Sequence, residues 1–511
     1  MRKLYISSIG ALLMAISAAC TSDFLEVEPT TTIPTEQSYN TRAKMEKALV
    51  AAYAPLGWLD YTFSEYHPID FLCDILADDY CGVGGSNEGD VPYLHLTAKY
   101  TLTPELAPAG LWRALYSGVF RANQVTDNID VAPDIPEAVR TRILAEARTL
   151  RAFYYYYLWM LWGNIPYFDV NPNGADVPYI APQQSAEEVY QHIIEDLDFA
   201  VAGNNLPEAV AIDQVGRFNR PAAMMLRARC ILAAVDAGRY QAALSDMRTI
   251  IGSGIYDLNP DFAALWEDEG EWCCESIFEV NYNDSPSNRT WTDPLSPGGT
   301  IFPTFICPDS YKGSRFASEG YGFGPVNKAL YEAYAEGDIR RDGGILNFAV
   351  AQPNDSYNPR LDDSGFFNLK YMGRSNGHSE FIGTDGEFNF RNNRRVFRFA
   401  ETLLNAAELI VRIGGDINEA GTYLNRVRAR AFATDEATLA PELKSEASLA
   451  NILRERRFEF PFEGMRFFDL VRFGVAEEVL ASKGYTPNKR YLPIPQSEID
   501  RAEGSLTQNP Y

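Results

Sequence analysis

The sequence predicts a mainly α-helical protein, a scaffold of helix pairs that carries an irregular, loop-rich portion. Three observations predict it. Apolar residues recur at helical spacing toward both ends of the chain. Two distant stretches, 221–251 and 401–431, share one plan: an Ala/Leu-rich helix, a Gly-containing turn and a second helix with small residues facing back. Between them, residues 254–395 are rich in Gly, Pro, Asn, Asp and rings and show little periodicity.

In chain order, Arg2-Lys3 is a basic start, Leu4 to Ile16 an apolar run, and Ser17-Ala18-Ala19 a small-residue cleavage site. The run is too short to span a bilayer, which needs about 20 residues. Cys20 follows directly and is the expected site of lipid attachment, although Ser17 stands where such signals usually carry Leu. Several acyl chains, each gaining about 0.8 kcal/mol per buried CH₂, would hold a folded domain on a membrane. An ordinary secretory signal with a chance cysteine is the alternative.

Met45, Leu49, Ala52 and Leu56 open the helical pattern. Asp78 to Pro108 is an irregular excursion. Ser185 and Glu188 form a capping box before Val189, Ile193, Leu197 and Ala200. Tyr240 to Ile251 and Ile417 to Ala431 each carry a further apolar stripe. The two repeated helix pairs have features of tetratricopeptide repeats, whose faces are buried only by stacking on neighbours. The expected order is a signal segment at 1–19, a tether at 20–35, a helical region at 36–253, a loop-rich variable region at 254–395 and a C-terminal helical region at 396–511.

Charge excludes some functions. There are 45 basic and 69 acidic residues, a formal net charge of −24. Nucleic acid is not expected as a partner, because phosphates need a basic patch. The four histidines (His67, His95, His192, His378) are isolated, and no metal, cofactor or catalytic group is expected. Asp355 with Asp362 and Asp363 is a weak calcium candidate. Cys73 and Cys81 are close enough for a loop disulfide, Cys273 and Cys274 are too close to pair, and Cys230 reads as a packed thiol. Asp78-Asp79 and Glu267-Asp268-Glu269 keep a glycoside hydrolase open as a lesser alternative.

Rings are the more informative signal, with 29 Tyr, 29 Phe and 7 Trp. A sugar offers apolar C–H faces that stack on rings and hydroxyls that need polar partners. Asp79, Tyr80, Asn87, Tyr93, His95 and Tyr100 supply both in the first excursion; Trp291, Phe302, Tyr311, Tyr321 and Phe323 supply rings in the second. The ligand-binding candidates are Asp79, Tyr80, Asn87, Tyr93, His95, Trp291, Tyr311 and Tyr321.

The last fifth reads NILRERRFEFPFEGMRFFDLVRFG (451–474), YLPIPQSEID (491–500) and LTQNPY (506–511). It resembles the SusD/RagB family of outer-membrane lipoproteins of the Bacteroidetes. LWRALYSGVFRANQVTDNI (111–129), AEARTLRAFYYYYLWMLWGNIPYF (145–168) and VFRFAETLLNAAE (396–408), which resembles the family's last repeat helix, agree with it. The resemblance implies a SusD-like superhelix of tetratricopeptide-type pairs. It implies a surface-exposed lipoprotein, anchored in the outer membrane and facing the exterior, that catches a glycan, or in some members a peptide. It implies delivery to a SusC-like, TonB-dependent transporter and no catalysis. A scaffold that binds only protein is the rival reading. The alternating charges Glu455, Arg456, Arg457, Glu463, Arg466 and Asp469 are read as an ion-pair network that fixes the C-terminal packing, not as ligand residues.

Overall fold

A computed structural model describes residues 38–171, 181–284, 289–377 and 385–511. Cys20 and His378 lie outside them, as do the signal segment and the whole tether.

The N-terminal half is a run of helices. Helix α1 spans Arg42–Tyr53, with Thr41 accepting from the Lys44 amide at its start. A two-stranded hairpin follows, β1 (Tyr61–Thr62) and β2 (Glu65–Tyr66). Short helix α2 (Ile69–Ile75) precedes the excursion and α3 (Pro92–Ala98) lies inside it, so part of that irregular stretch is helical. Then come α4 (Ala109–Asn128), α5 (Glu137–Trp162), α6 (Ala186–Val201), α7 (Arg220–Ala233) and α8 (Tyr240–Gly252). The Ser185–Glu188 capping box forms as its spacing predicts.

Every residue of α5 from Thr149 to Trp162 is buried, so its ring-rich stretch is core on all sides. It ends at Gly163, whose φ of +68° suits glycine and where a Cβ would meet the Tyr491 ring at 2.7 Å. Arg151, buried on α5, is bound by both carboxylate oxygens of Asp196 on α6 at 2.7 Å. That bidentate pair fixes the two helices in register.

Strand β3 (Ser276–Val280) pairs antiparallel with β4 (Arg394–Arg398), bringing the two ends of the loop-rich region together. Val396 to Arg398 is therefore strand rather than the start of the helix expected there; helix α9 begins at Phe399 and runs to Ile413. The alternating Val396 and Phe397 side chains and the ladder bonds to β3 outweigh the helical pattern at this end. Helices α10 (Ile417–Ala431), α11 (Leu449–Glu459) and α12 (Arg466–Arg472) follow. Successive helices from α4 through α10 pack on one another, with α8 meeting α9 across the chain gap, which builds the superhelical scaffold. One continuous apolar core runs from Met45 to Leu506.

The C-terminal charges form an ion-pair network, but mostly with distant segments. Glu459 meets Arg340 (3.1 Å), Arg398 (3.0 Å) and Arg430 (2.5 Å). Glu463 meets Lys370 and Arg398, and Glu455 meets Arg340 and Arg428. Glu275 and Asp338 complete a set of five acids against five bases. Burial alone would raise the Glu459 carboxyl, but Arg430, Arg398, Arg340 and Lys370 together hold it below the usual range. Of the six alternating charges, Arg456 and Asp469 pair with each other, and Asp469 also binds Arg472 of the same stretch.

The thiols of Cys73 and Cys81 are free, Cys73 buried and Cys81 exposed, so the loop disulfide is not formed. Among the described residues no group of His, Cys, Asp and Glu could hold a metal, and no helix is long and apolar enough to cross a membrane.

Candidate functional site

The β1–β2 hairpin begins at Asp60, a buried carboxylate. Its Oδ1 accepts from the Tyr61 amide at 2.6 Å, and its Oδ2 accepts from the Ile301 amide (3.0 Å) and the Thr300 hydroxyl (2.8 Å). Arg289 pairs with it at 3.0 Å. The guanidinium also donates to the carbonyls of Tyr61, Gly57, Gly299 and Pro294 at 2.7–3.1 Å. One buried cation thus ties the hairpin to the loop at 289–301. Phe63 and Ser64 at the hairpin turn have φ of +50° and +64°. Two consecutive left-handed residues match the twist of a tight hairpin but are strained without glycine or asparagine. The turn leaves Phe63 exposed.

The clamp assembles rings from distant segments. Tyr61 packs edge-on against Trp291 at 5.3 Å and Phe388 at 5.1 Å. Tyr66 lies 6.0 Å from Trp291, 6.3 Å from Tyr321 and 5.6 Å from Phe305. Trp291 stands perpendicular to Phe388 at 4.3 Å. Tyr61 and Phe388 are buried, whereas Tyr66, Trp291 and Tyr321 are half-buried and keep ring surface in solvent. Buried rings thus support a half-open aromatic platform.

Polar groups border it. Trp291 donates its indole N–H to Glu387 Oε1 at 2.9 Å and its amide to Asp385 Oδ2 at 2.7 Å. Burial pushes the Tyr321 hydroxyl up to about 12, with Glu387 next and Glu319 and Asp385 adding to the rise. Burial also raises the Tyr66 hydroxyl, and Tyr321 and Tyr61 strengthen that shift. These hydroxyls stay protonated near neutral pH, able to donate and accept. The arrangement can stack an apolar face and hydrogen-bond the rim of a polyol.

Trp291 and Tyr321, both expected as ligand residues, stand together on this platform. Tyr93 stands behind it, donating its hydroxyl to the Tyr66 carbonyl at 2.5 Å. Asn87 is exposed in a separate turn, accepting from the Gly89 amide. Four expectations meet a different geometry. Asp79 is fully buried against Arg457 at 3.2 Å, and Tyr80 is 2% exposed, packed between Phe71 and Phe462. His95 is 4% exposed. Tyr311 is 3% exposed and donates to Asp355 from a small separate core. These four offer almost no surface to a ligand because protein groups already satisfy or cover them.

Four of the five carboxylates weighed for hydrolysis are likewise engaged, Asp79 as above. Asp78 binds Arg457 and Arg466, Glu267 binds Arg374, and Asp268 binds Arg391. Asp355 and Asp363 accept tyrosine hydroxyls.

Tyr61, Tyr66, Phe388, Asp385 and Glu387 were not among the residues expected. The segment YTFSEY (61–66) carries a usable signal, rings alternating with polar residues over a hairpin length. Phe63 also lines a groove of about 770 Å³ with Trp58, Trp112, Tyr116, Phe120 and Leu295. Trp291 is not part of its lining.

A helical superhelix that presents an aromatic platform on irregular excursions defines a class of ligand-presenting scaffold. The SusD family model matches residues 383–511, and a second model, described as starch-binding and associating with the outer membrane, matches residues 23–232. A solved surface glycan-binding protein A from Bacteroides thetaiotaomicron, in complex with laminarihexaose, superposes with a TM-score of 0.85 at 38% identity; the match covers 92% of this chain and 100% of that one. A laminarin-binding SusD-like protein superposes with a TM-score of 0.82 at 29% identity, over 92% of this chain and 100% of the other. SusD-like protein P25 of Formosa agariphila is 25% identical over 96% of both chains. The chain belongs to the SusD family.

Proposed function

We propose that this protein captures an oligosaccharide or polysaccharide at the Tyr66–Trp291–Tyr321 platform. The carrying observation is the meeting of three half-exposed rings from distant segments, held by the Asp60–Arg289 clamp and bordered by Glu387 and Asp385. The solved relative with laminarihexaose supports an uncharged glucan as the ligand. Binding needs no bond making, and no catalysis is proposed. On this reading Cys20 carries the lipid that holds the protein on the outer face of the outer membrane. The captured glycan passes to a SusC-like, TonB-dependent transporter.

Titration calorimetry of the purified protein with laminarin and with unrelated glycans and peptides tests capture. Saturable glycan binding that is lost on Trp291→Ala supports the site; unchanged affinity in that variant refutes it. Labelling with a radioactive fatty acid, lost on Cys20→Ala, tests the anchor. Copurification of a large outer-membrane barrel with the native protein tests delivery. The rival, a scaffold that binds only protein, draws on the apolar groove at Phe63 and Phe120. It would be favoured by tight protein binding with no glycan bound.

A further inference from the structure

We propose that the carboxylates bordering the ring platform make it selective for uncharged glycans, with Glu387, Asp385 and Glu319 as the residues that turn away sulfated or uronate-bearing chains. The inference rests on the glycan reading of the platform and adds the residues that enforce a neutral ligand.

The geometry carries it. Two carboxylates are fixed at the Trp291 ring: Glu387 Oε1 accepts from the indole N–H at 2.9 Å and Asp385 Oδ2 from the backbone amide at 2.7 Å. A sugar stacked on that indole therefore lies beside both. Glu319, exposed on the chain leading to Tyr321, is a third negative charge that the Tyr321 hydroxyl feels, along with Glu387 and Asp385. Asp90 acts in the same sense on Tyr66.

Arg289 is the cation beneath this cluster, 5.5 Å from the Phe388 ring, but it is 1% exposed and its donors are taken by Asp60 and four carbonyls. It cannot turn toward a ligand anion without breaking the clamp. Among the described residues, the charged side chains hydrogen-bonded to Trp291 are acidic, and acidic side chains also raise the Tyr321 and Tyr66 hydroxyls. Elsewhere in the chain most buried carboxylates meet arginines; here the half-buried Glu387 and Asp385 meet an indole and a backbone amide and can still accept from the hydroxyls of a neutral sugar. A sulfate or carboxylate on the stacked unit would sit a few ångströms from two or three like charges. In a partly desolvated site that repulsion amounts to about tenfold or more in affinity, and salt would screen it.

The test is calorimetry of the full-length protein with laminarin and with carboxymethylated laminarin, in low and high salt. The readout is the ratio of the two dissociation constants. We expect the anionic form to bind at least about tenfold more weakly in low salt, with the gap narrowing in high salt. Glu319→Gln and Glu387→Gln should each shrink that ratio, and Glu319→Lys should shrink it further than Glu319→Gln. Equal affinity for both polymers in low salt, or a ratio unmoved by all three substitutions, overturns the inference and leaves glycan capture standing. Binding of neither polymer removes the glycan reading and this inference with it.

Discussion

Replacing Arg289 by methionine should disable the site while leaving the helical scaffold folded. Methionine keeps most of the apolar stem and removes the cation. Asp60 then loses its charge partner but keeps the Tyr61 and Ile301 amides and the Thr300 hydroxyl. The carbonyls of Tyr61, Gly57, Gly299 and Pro294 lose their donor. Breaking one side of a buried pair costs about 3–5 kcal/mol. Arg289 grips only the hairpin approach and the 294–299 turn, so the cost falls on closure of that loop rather than on the superhelix. A loss of about 3 kcal/mol shifts the local closed-to-open ratio by about a hundredfold. Apparent affinity falls with the closed fraction. Calorimetry should show at least about fivefold weaker glycan binding, with far-ultraviolet circular dichroism unchanged at 25 °C. In a double-mutant cycle with Asp60→Asn, the two losses should be less than additive. If Arg289→Met binds within error of wild type and unfolds at the same denaturant concentration, the clamp does not position the platform.

Trp291→Ala should weaken glycan binding about ten- to a hundredfold, the equivalent of about 1.5–3 kcal/mol of buried ring surface, measured by calorimetry; a change under twofold would remove Trp291 from the site. His67 is fully buried, and burial lowers its pKa to about 4. Between about pH 6.5 and 4 the unfolded chain takes up this proton and the folded chain does not, so its contribution to stability is lost as the pH falls through that window. Glu271, raised by burial to about 7, acts in the opposite sense over an overlapping range. The unfolding free energy of His67→Gln should therefore decline less on acidification than that of the wild type; parallel pH curves would exclude His67 as a source of the slope. Glu459→Gln should lower the thermal midpoint, because Arg340, Arg398 and Arg430 lose a shared carboxylate charge at the centre of the network. An unchanged midpoint would mean that Glu275, Glu455 and Glu463 suffice to neutralise those cations.

Much of the scaffold was legible because its signals are local. The capping box at Ser185, the paired helices at 221–251 and 401–431, and the ring-rich helix ending at Gly163 each declare themselves within one or two turns. The strand at Val396–Arg398 did not, since a helical stripe and a short buried strand look alike until the partner Ser276–Val280 is known. The site was half legible for the same reason. Trp291 and Tyr321 stood out as rings in irregular chain, but Tyr61 and Tyr66 become platform residues only through Arg289, more than 220 residues away in sequence. Asp79 shows the converse. Read locally, it is a polar residue beside a ring in an excursion; the cation that claims it, Arg457, lies 378 positions on.

The C-terminal ion cluster has a consequence for how such a chain can change. Three of its five cations, Arg340, Lys370 and Arg398, come from within and beside the irregular region, and its acids mainly from the last helices. Each of these three works as a rivet driven through the loops into the frame. The spans hung between rivets, among them the one bearing Trp291 and Tyr321 and the one bearing Asp385 and Glu387, are tied instead to the β1–β2 hairpin and to each other. A new recognition surface can be cut into them while the frame, and whatever docks against it, stays as it was.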